Sequence, residues 1–260
     1  MNREWKRELE RFVDFLRGID LKKYAHLRQI KTVEQDLPKE LLPLEVFYKY
    51  YWNRTDFKDF DEIFNIYWSE KLNPHIYNFI KKYFYGCSLQ FVEEGFRARL
   101  YRIWVSILTQ FHFQYLWNAM FEEELFSSPE LDSLGIDAVL IIKDKKIGIQ
   151  IKKVSYRREA SSRRFTRKQR RFVDVMVEIP YLVVDEEDIE RRLRSPRVKD
   201  KTKESLKSLL SVFRENFMKL DNGFVVFREA YLRHIREVIH ERVDRLSAGD
   251  KLSYEEILSW

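Results

Sequence analysis

One helical segment, residues 93–120, constrains the fold of this chain more than any other, because it is apolar on nearly every side. The apolar side chains along it are Leu100, Ile103, Trp104, Ile107, Leu108, Phe111, Tyr115 and Leu116. A helix of this kind is buried in the centre of a domain, since none of its faces suits water. The remaining chain must pack around it, and a hydrophobic content of 45% provides the apolar surface for such a core.

The sequence on either side of this helix mixes helical and strand periods. In chain order we predict helices over 3–17 and 44–84, strands over 135–142, 147–156 and 178–184, a charged helix over 186–219, a strand over 223–227 and a last helix that ends near residue 246. Helices around a mixed sheet make an α/β (α+β) fold. We therefore predict one helix-rich domain over 1–260, with a helical N-terminal subdomain over 1–90 and a sheet-containing core over 91–246.

The composition indicates which cellular compartment and which kind of binding partner to expect. The chain has 48 Lys and Arg against 42 Asp and Glu, a net charge of +6 that is compatible with a polyanionic partner. Its single cysteine, Cys87, excludes an internal disulfide framework and favours a reducing compartment, for which we expect the cytoplasm. The sequence contains no run of about 20 uncharged apolar residues, so we expect no membrane span. The 35% content of charged residues, with few Gly and Pro, leans toward thermophile proteins.

Several enzyme classes lack their motifs in this sequence. Neither GxGxxG nor GxxxxGK[ST] occurs, which argues against a dinucleotide enzyme and against a P-loop motor. The five histidines form no HExxH pattern, so we expect no zinc site. The chemistry must therefore be sought elsewhere, and the two strands predicted over 135–156 provide it.

Asp137, Gln150 and Lys152 bring to this predicted hairpin the three groups that a magnesium-dependent nuclease needs. A carboxylate holds the cation, a second oxygen completes the ligation, and a lysine stabilises the attacking hydroxide or the charge on phosphorus. Neighbours on one face of a strand pair have Cβ atoms about 5 Å apart, so a hairpin brings such groups together. The alternative is that these side chains only form the solvated face of a sheet whose other face is buried.

The polar connection over 143–146 sets the expected register of the hairpin. A turn at the centre of this connection pairs Asp137 with Lys152 and Val139 with Gln150. In that register the three polar side chains share one face, while the isoleucines of the second strand take the other face.

A basic tract over 152–171 continues directly from the second strand. Its cations are Lys152, Lys153, Arg157, Arg158, Arg163, Arg164, Arg167, Lys168, Arg170 and Arg171, and Glu159 is its one acid. Cations spaced in this way contact DNA phosphates, and some arginines can reach guanine edges. The residues that we expect to contact DNA are Lys153, Ser155, Tyr156, Arg157, Arg158, Arg163 and Arg164. A solvated loop without a ligand is the alternative.

The order of residues in the hairpin resembles a known nuclease pattern. Gly135-Ile136-Asp137 followed by Gln150-Ile151-Lys152 resembles the PD-(D/E)xK nuclease superfamily, with isoleucine in the place of the proline and Gln150 in the place usually held by Glu. Longer segments resemble the TaqI-type restriction endonucleases: Ile30–Pro38, Ala98–Ser106, Gln150–Lys153 with Ser155–Arg158, and Asn222–Phe227. The core over 91–246 would then be a nuclease core of the restriction-endonuclease type, with the active site on the hairpin 135–156.

This resemblance implies a type II restriction endonuclease that cleaves double-stranded DNA at TCGA with Mg²⁺. Asp137 would be the metal-bridging carboxylate, and Gln150 would add its side-chain oxygen beside the main-chain carbonyl of Ile151. Lys152 would position or deprotonate the attacking water. Glu94, near the start of the central helix, is expected as a further metal ligand, although the helix N-terminus favours an acid there in any case.

The resemblance also implies a homodimer, because a palindromic site suits a two-fold partner. Two other functions remain open on the sequence alone. One is a non-catalytic DNA-binding protein on a nuclease fold, which would be expected to have lost Asp137 or Lys152. The other is a structure-specific DNA repair nuclease, which would share the chemistry but need neither dimerisation nor a fixed site.

Overall fold

In the computed structural model the described residues are 3–53, 56–154 and 165–258, and they form an α+β fold, as the sequence predicts. Contacts divide the chain into two compact units. A helical unit comprises Arg7–His112 with Asp221–Phe224, and a sheet unit comprises Phe113–Leu220 and Val225–Trp260 together with the described part of Met1–Lys6.

The first half of the chain is helical. Its α-helices are α1 (Arg3–Gly18), α2 (Leu44–Phe47), α3 (Phe60–Tyr67), α4 (Asn73–Tyr83) and α5 (Leu89–Met120). Short 3-10 helices cover Ala25–Arg28 and Lys39–Leu41, and π-helical turns cover Tyr48–Trp52 and Trp68–Leu72. The predicted central helix is confirmed as α5, which begins four residues earlier than expected. The contact division falls inside this continuous helix, at His112, whereas the sequence predicted a subdomain boundary near residue 90.

Aromatic side chains fill the core of the helical unit. The indole nitrogen of Trp104 donates to the hydroxyl of Tyr51 over 2.8 Å, so the polar groups of these two large rings are hydrogen-bonded inside the core. Phe60 packs edge-on against Tyr101, with 5.2 Å between ring centroids. Rings in this arrangement contribute both buried area and favourable edge-to-face geometry.

The second half of the chain contains two sheets. The larger sheet has the strand order β1 (Ala138–Ile142), β2 (Lys145–Val154), β3 (Val175–Leu182) and β6 (Lys251–Leu252), and a smaller one pairs β4 (Phe217–Lys219) with β5 (Val225–Phe227). β1 runs antiparallel to β2, whereas β2, β3 and β6 are parallel. The remaining helices are α6 (Pro129–Ser133), α7 (Glu186–Arg194), α8 (Asp200–Asn216), α9 (Glu229–Val243) and α10 (Tyr254–Ile257), with a 3-10 turn at Gln169–Arg171.

The single charged helix predicted over 186–219 is wrong, because the chain forms α7 and α8 there and then β4. Ser195, which ends α7, is extended at φ −73° and ψ 128°. It precedes Pro196, and proline disfavours the helical conformation in the residue before it and offers no N–H to continue the helix. The short elements β6 and α10, which follow the last predicted helix, were not predicted.

The centre of one face of the larger sheet is apolar and buried. Leu140, Ile147, Ile149 and Ile179 are each no more than 1% exposed. The alternate residues of the same strands form the other face, which contains the polar side chains of the hairpin. In the part of the chain that the structure describes, no helix is long and apolar enough to cross a membrane.

Candidate active site

The β1–β2 hairpin has a two-residue turn at Lys143 and Asp144, with Ile142 paired to Lys145 and Ala138 paired to Ile149. Both turn residues have positive φ, at 48° and 64°. A tight hairpin turn of this kind requires positive φ at both positions, and it matches the twist of the strands. The register expected from the polar connection is therefore wrong, because the turn lies one residue earlier in the sequence.

The corrected register displaces the pairing by two residues, and Gln150 and Lys152 remain on one face of β2. Asp137 lies one residue before β1, its N–H donates to the carbonyl of Ile149 over 2.9 Å, and its carboxylate contacts the backbone of β2 at Ile151, between Gln150 and Lys152. Side chains alternate with a period of two, so a two-residue shift changes partners but does not move a side chain to the other face. The structure thus brings together the three predicted catalytic residues.

Asp137 is a buried carboxylate at the start of this face, and it is only 4% exposed. Its Oδ2 accepts the main-chain N–H of Ile151 over 2.6 Å. Its carbonyl accepts the Gln114 amide over 2.9 Å and the Ser127 hydroxyl over 2.6 Å, which fixes the backbone at this point. These contacts hold the carboxylate in place and leave its charge largely uncompensated.

Burial raises the pKa of the Asp137 carboxyl well above its usual range. The charge of Asp132 in α6 raises the same pKa further, while the N–H of Ile151 lowers it. Within residues 3–53, 56–154 and 165–258, no basic side chain forms an ion pair with Asp137. A cation bound here would gain the attraction of a buried carboxylate and relieve its repulsion with Asp132.

Gln150 of β2, next to Ile151, carries a side-chain oxygen of the kind that a metal site would use as a second ligand. Its side chain is partly exposed, and its amide nitrogen lies 3.4 Å from the position that a Cβ would occupy on Gly135. Gly135 has φ +76°, a conformation that suits glycine, so the chain passes Gln150 closely at this point.

The donor set fits Mg²⁺. This ion prefers oxygen ligands, usually one or two carboxylates completed by water and substrate phosphate. Among the described residues, no group of three or more His, Cys, Asp or Glu is placed to hold a metal, so the chain supplies few charged ligands. Asp137 and the Gln150 oxygen would hold the ion, with the remaining positions open to phosphate and water. Ile151 contacts Asp137 through its N–H, and the predicted role of its carbonyl stays a prediction.

Glu178 joins the site from β3, and the sequence analysis missed it. It pairs with Gln150 in the parallel β2–β3 register and is 0% exposed. Its Oε1 forms ion pairs with Lys152 and with Lys251 of β6, the latter over 2.6 Å. The sequence signal was a lone acid within the otherwise apolar strand VMVEIPYL. Such an acid is buried only with a cationic partner.

Glu94 lies exposed in the part of α5 that belongs to the helical unit. It borders a shallow groove of about 380 Å³ formed with Ile30, Thr32, Ser88, Gln90 and Phe91. Its predicted role as a metal ligand stays a prediction.

Only part of the basic tract is described. Lys153 is exposed at the end of β2, whereas Ser155, Tyr156, Arg157, Arg158, Arg163 and Arg164 lie outside the described residues. Around the 3-10 turn at Gln169–Arg171, the side chains of Arg167, Lys168, Arg170 and Arg171 are exposed. These cations are accessible to a polyanion.

Two of the segments that resemble the TaqI-type enzymes, Ile30–Pro38 and Ala98–Ser106, contact each other in the helical unit. Arg102 donates to the carbonyl of Ile30 over 2.6 Å, and Arg99 donates to that of Val33 over 3.2 Å. A Cβ on Gly95 would lie 2.5 Å from Val33, so only glycine allows this approach without a shift. The two segments that carry this resemblance therefore pack against each other in the fold.

Comparison with known proteins extends this resemblance along the chain. Residues 9–239 match the family described as TaqI restriction endonuclease. The chain is 43% identical over 256 residues to the type II restriction enzyme TthHB8I of Thermus thermophilus, with 95% of each chain covered. It is 44% identical over 248 residues to the type II restriction enzyme TaqI of Thermus aquaticus, with 93% of this chain and 92% of the relative covered. No solved structure matches.

Proposed function

This chain belongs to the TaqI restriction endonuclease family, and we propose that it is a type II endonuclease that hydrolyses phosphodiester bonds of double-stranded DNA with Mg²⁺. The observation that carries the proposal is the buried Asp137 carboxylate, which accepts the N–H of Ile151 between Gln150 and Lys152 on β2. The recognition sequence that we propose is TCGA, on the resemblance to TaqI-type enzymes.

Asp137, Gln150 and Lys152 each have a distinct task in the proposed reaction. Asp137 and Gln150 hold the cation, and the N–H of Ile151 keeps the Asp137 carboxylate oriented. When bound, Mg²⁺ supplies positive charge to the phosphate and lowers the pKa of a coordinated water. Lys152 orients the attacking water and stabilises the negative charge that develops as the water oxygen bonds to phosphorus and the opposite P–O bond breaks.

The proposal also includes the oligomeric state, the source and the cellular location of the protein. A TCGA site is palindromic, so we propose a homodimer in which each protomer addresses one strand. Both relatives come from Thermus species, and the 35% content of charged residues is typical of such proteins, so we propose a thermophilic source and a cytoplasmic location.

The test is cleavage of a plasmid by purified protein with Mg²⁺ and with EDTA, followed by sequencing of the cut ends. We expect Mg²⁺-dependent ends at TCGA alone, and a loss of at least about 100-fold in Asp137→Ala and Lys152→Ala. Lys143→Met, at the exposed turn, is the control and should cleave normally. A repair nuclease would instead give ends set by DNA structure. A folded protein that binds DNA but cleaves with no divalent metal would be the non-catalytic alternative.

A further inference from the structure

Glu178 is a fully buried acid, and one of its two carboxylate oxygens, Oε1, forms ion pairs with two lysines. The side chains of Lys152 and Lys251 are also largely covered, at 13% and 16% exposure. Removing such charges from water costs several kcal/mol per ion, and well-packed apolar side chains often serve stability equally well. The cluster therefore calls for an explanation other than stability.

The position of Lys152 supplies that explanation. The Asp137 carboxylate lies 2.6 Å from the main-chain nitrogen of Ile151, the residue before Lys152, so it is within reach of a lysine side chain at that position. Asp137 is a buried carboxylate, and it would attract this cation. Lys152 is instead bound to Glu178 on the opposite side of β2.

We propose that Glu178 is a positioning residue of the proposed nuclease: it holds Lys152 on the β3 side of the face and so keeps the Asp137 carboxylate available to the metal. Lys251 anchors Glu178 from β6 and fixes the oxygen that Lys152 contacts. Without Glu178, Lys152 turns to Asp137 and competes with Mg²⁺. This inference rests on the proposed function, since it assigns the metal to Asp137.

The direct test is calorimetric titration of Mg²⁺ into the DNA-free protein, because it does not depend on cleavage. Glu178→Gln keeps the size of the side chain and removes its charge. We expect the Mg²⁺ affinity to fall about 10-fold to 100-fold, the usual effect of a residue that orients a metal site. In a Lys152→Met background the same substitution should leave the affinity unchanged, because the competing cation is gone.

A matched control is available in α1. Glu8 is 3% exposed and pairs with Arg7 at 3.4 Å and Arg11 at 2.9 Å, so Glu8→Gln removes a buried acid from two cations in the same way. We expect it to lower the melting temperature without changing Mg²⁺ affinity. Glu178→Asp, which retains the charge on a shorter side chain, should restore part of the affinity and part of the single-turnover cleavage rate.

Several outcomes would overturn the proposal. Wild-type Mg²⁺ affinity in folded Glu178→Gln would do so, and so would a loss that persists in the Lys152→Met background. If Glu178→Gln does not fold, wild-type affinity in Glu178→Asp would have the same meaning. Absence of cleavage by the wild-type protein contradicts the proposed function instead, and Mg²⁺ affinity then still reports on Glu178. Cleavage at the wild-type rate by Glu178→Gln, with Lys152→Ala inactive, rejects only the role of Glu178.

Discussion

Gln150 is the residue at which this chain departs from the acidic side chain of the superfamily pattern. In the proposed site a neutral amide would give the metal an oxygen but no charge, so we expect Mg²⁺ to bind weakly until a DNA phosphate supplies the missing anion. Binding of metal and binding of DNA should therefore strengthen each other.

We expect Gln150→Glu to raise the Mg²⁺ affinity of the DNA-free protein by about 10-fold, equivalent to about 1.4 kcal/mol. Gln150→Ala should impair cleavage less than Asp137→Ala, since the metal keeps its anionic ligand. Calorimetric titration measures the first effect, and Gln29→Glu, at an exposed position in the helical unit, controls for added charge. An affinity no higher than that of the wild type would remove Gln150 from the metal site.

His112 predicts how stability changes with acidity. Burial lowers its pKa from 6.5 to about 3, because the charged ring would lose its hydration inside the protein. At pH values between these two pKa values, the unfolded chain therefore binds a proton at His112 that the folded protein does not bind. Stability contributed by the neutral ring is present above pH 6.5 and is lost as pH falls toward 3, with a slope of up to about 1.4 kcal/mol per pH unit.

Urea unfolding at pH 7, 6, 5 and 4 checks this prediction. His112→Phe keeps a buried ring without a titrating group, so its free energy of unfolding should fall less steeply with pH than that of the wild type. His75→Gln changes an exposed histidine and should follow the wild type. Parallel pH dependence in all three proteins would contradict the prediction.

At the scale of elements, the hairpin shows how far the sequence could predict the site. The common face of Gln150 and Lys152 was predictable, because residues two apart in a strand point to the same side. The register was not, because Lys143 and Asp144 adopt positive φ without the Asn-Gly or Asp-Gly signal of such turns. All four residues of the connection 143–146 are polar, so polarity did not show which two of them form the turn.

The same turn offers a stability prediction. Asp144 has φ 64°, a region that glycine enters without the steric cost borne by other side chains. We expect Asp144→Gly to leave the register unchanged and to stabilise the protein by about 0.5–1 kcal/mol in urea unfolding, while Asp144→Val should destabilise it by more than that. Destabilisation by both substitutions would mean that the Asp144 side chain, and not the backbone angle, sets the turn.

The basic tract beyond β2 predicts a salt effect. Arg163 and Arg164, which lie outside the described residues, carry charge but no assigned base contact. Replacing both by Ala should weaken binding to specific and random DNA alike and lower the salt slope by about one unit per lost phosphate contact. Fluorescence anisotropy over a salt series measures this, with the exposed Arg17→Ala in α1 as the control. An unchanged slope would show that these arginines are only solvated.

At the scale of the whole molecule, the helix-rich α+β fold was predictable because α5 and the hairpin have long, clear periods. Glu178 and Lys251 were not, because they reach the site through the parallel pairing of β2 with β3 and of β3 with β6. Parallel partners are distant in the sequence, and a two-residue strand such as β6 has no detectable period. The candidate site therefore combines residues of one local hairpin with Glu178 and Lys251, which the pairing of distant strands brings to it.

The proposed homodimer makes the last prediction. If each protomer cuts one strand, a mixed dimer with one Asp137→Ala protomer retains a single working site. On a supercoiled plasmid with one TCGA sequence, the wild type should produce linear DNA and the mixed dimer only nicked circles.

Two affinity tags on co-expressed chains allow the mixed dimer to be purified, and the Asp137→Ala homodimer serves as the inactive control. Sedimentation of the wild type should give about twice the chain mass of 31.9 kDa. Linear product from the mixed dimer at the wild-type rate would mean that one site cuts both strands in turn. Full cleavage by a species of single-chain mass would contradict the homodimer itself, because two strands at a palindrome present the same chemistry in opposite orientations and one fixed site faces only one of them.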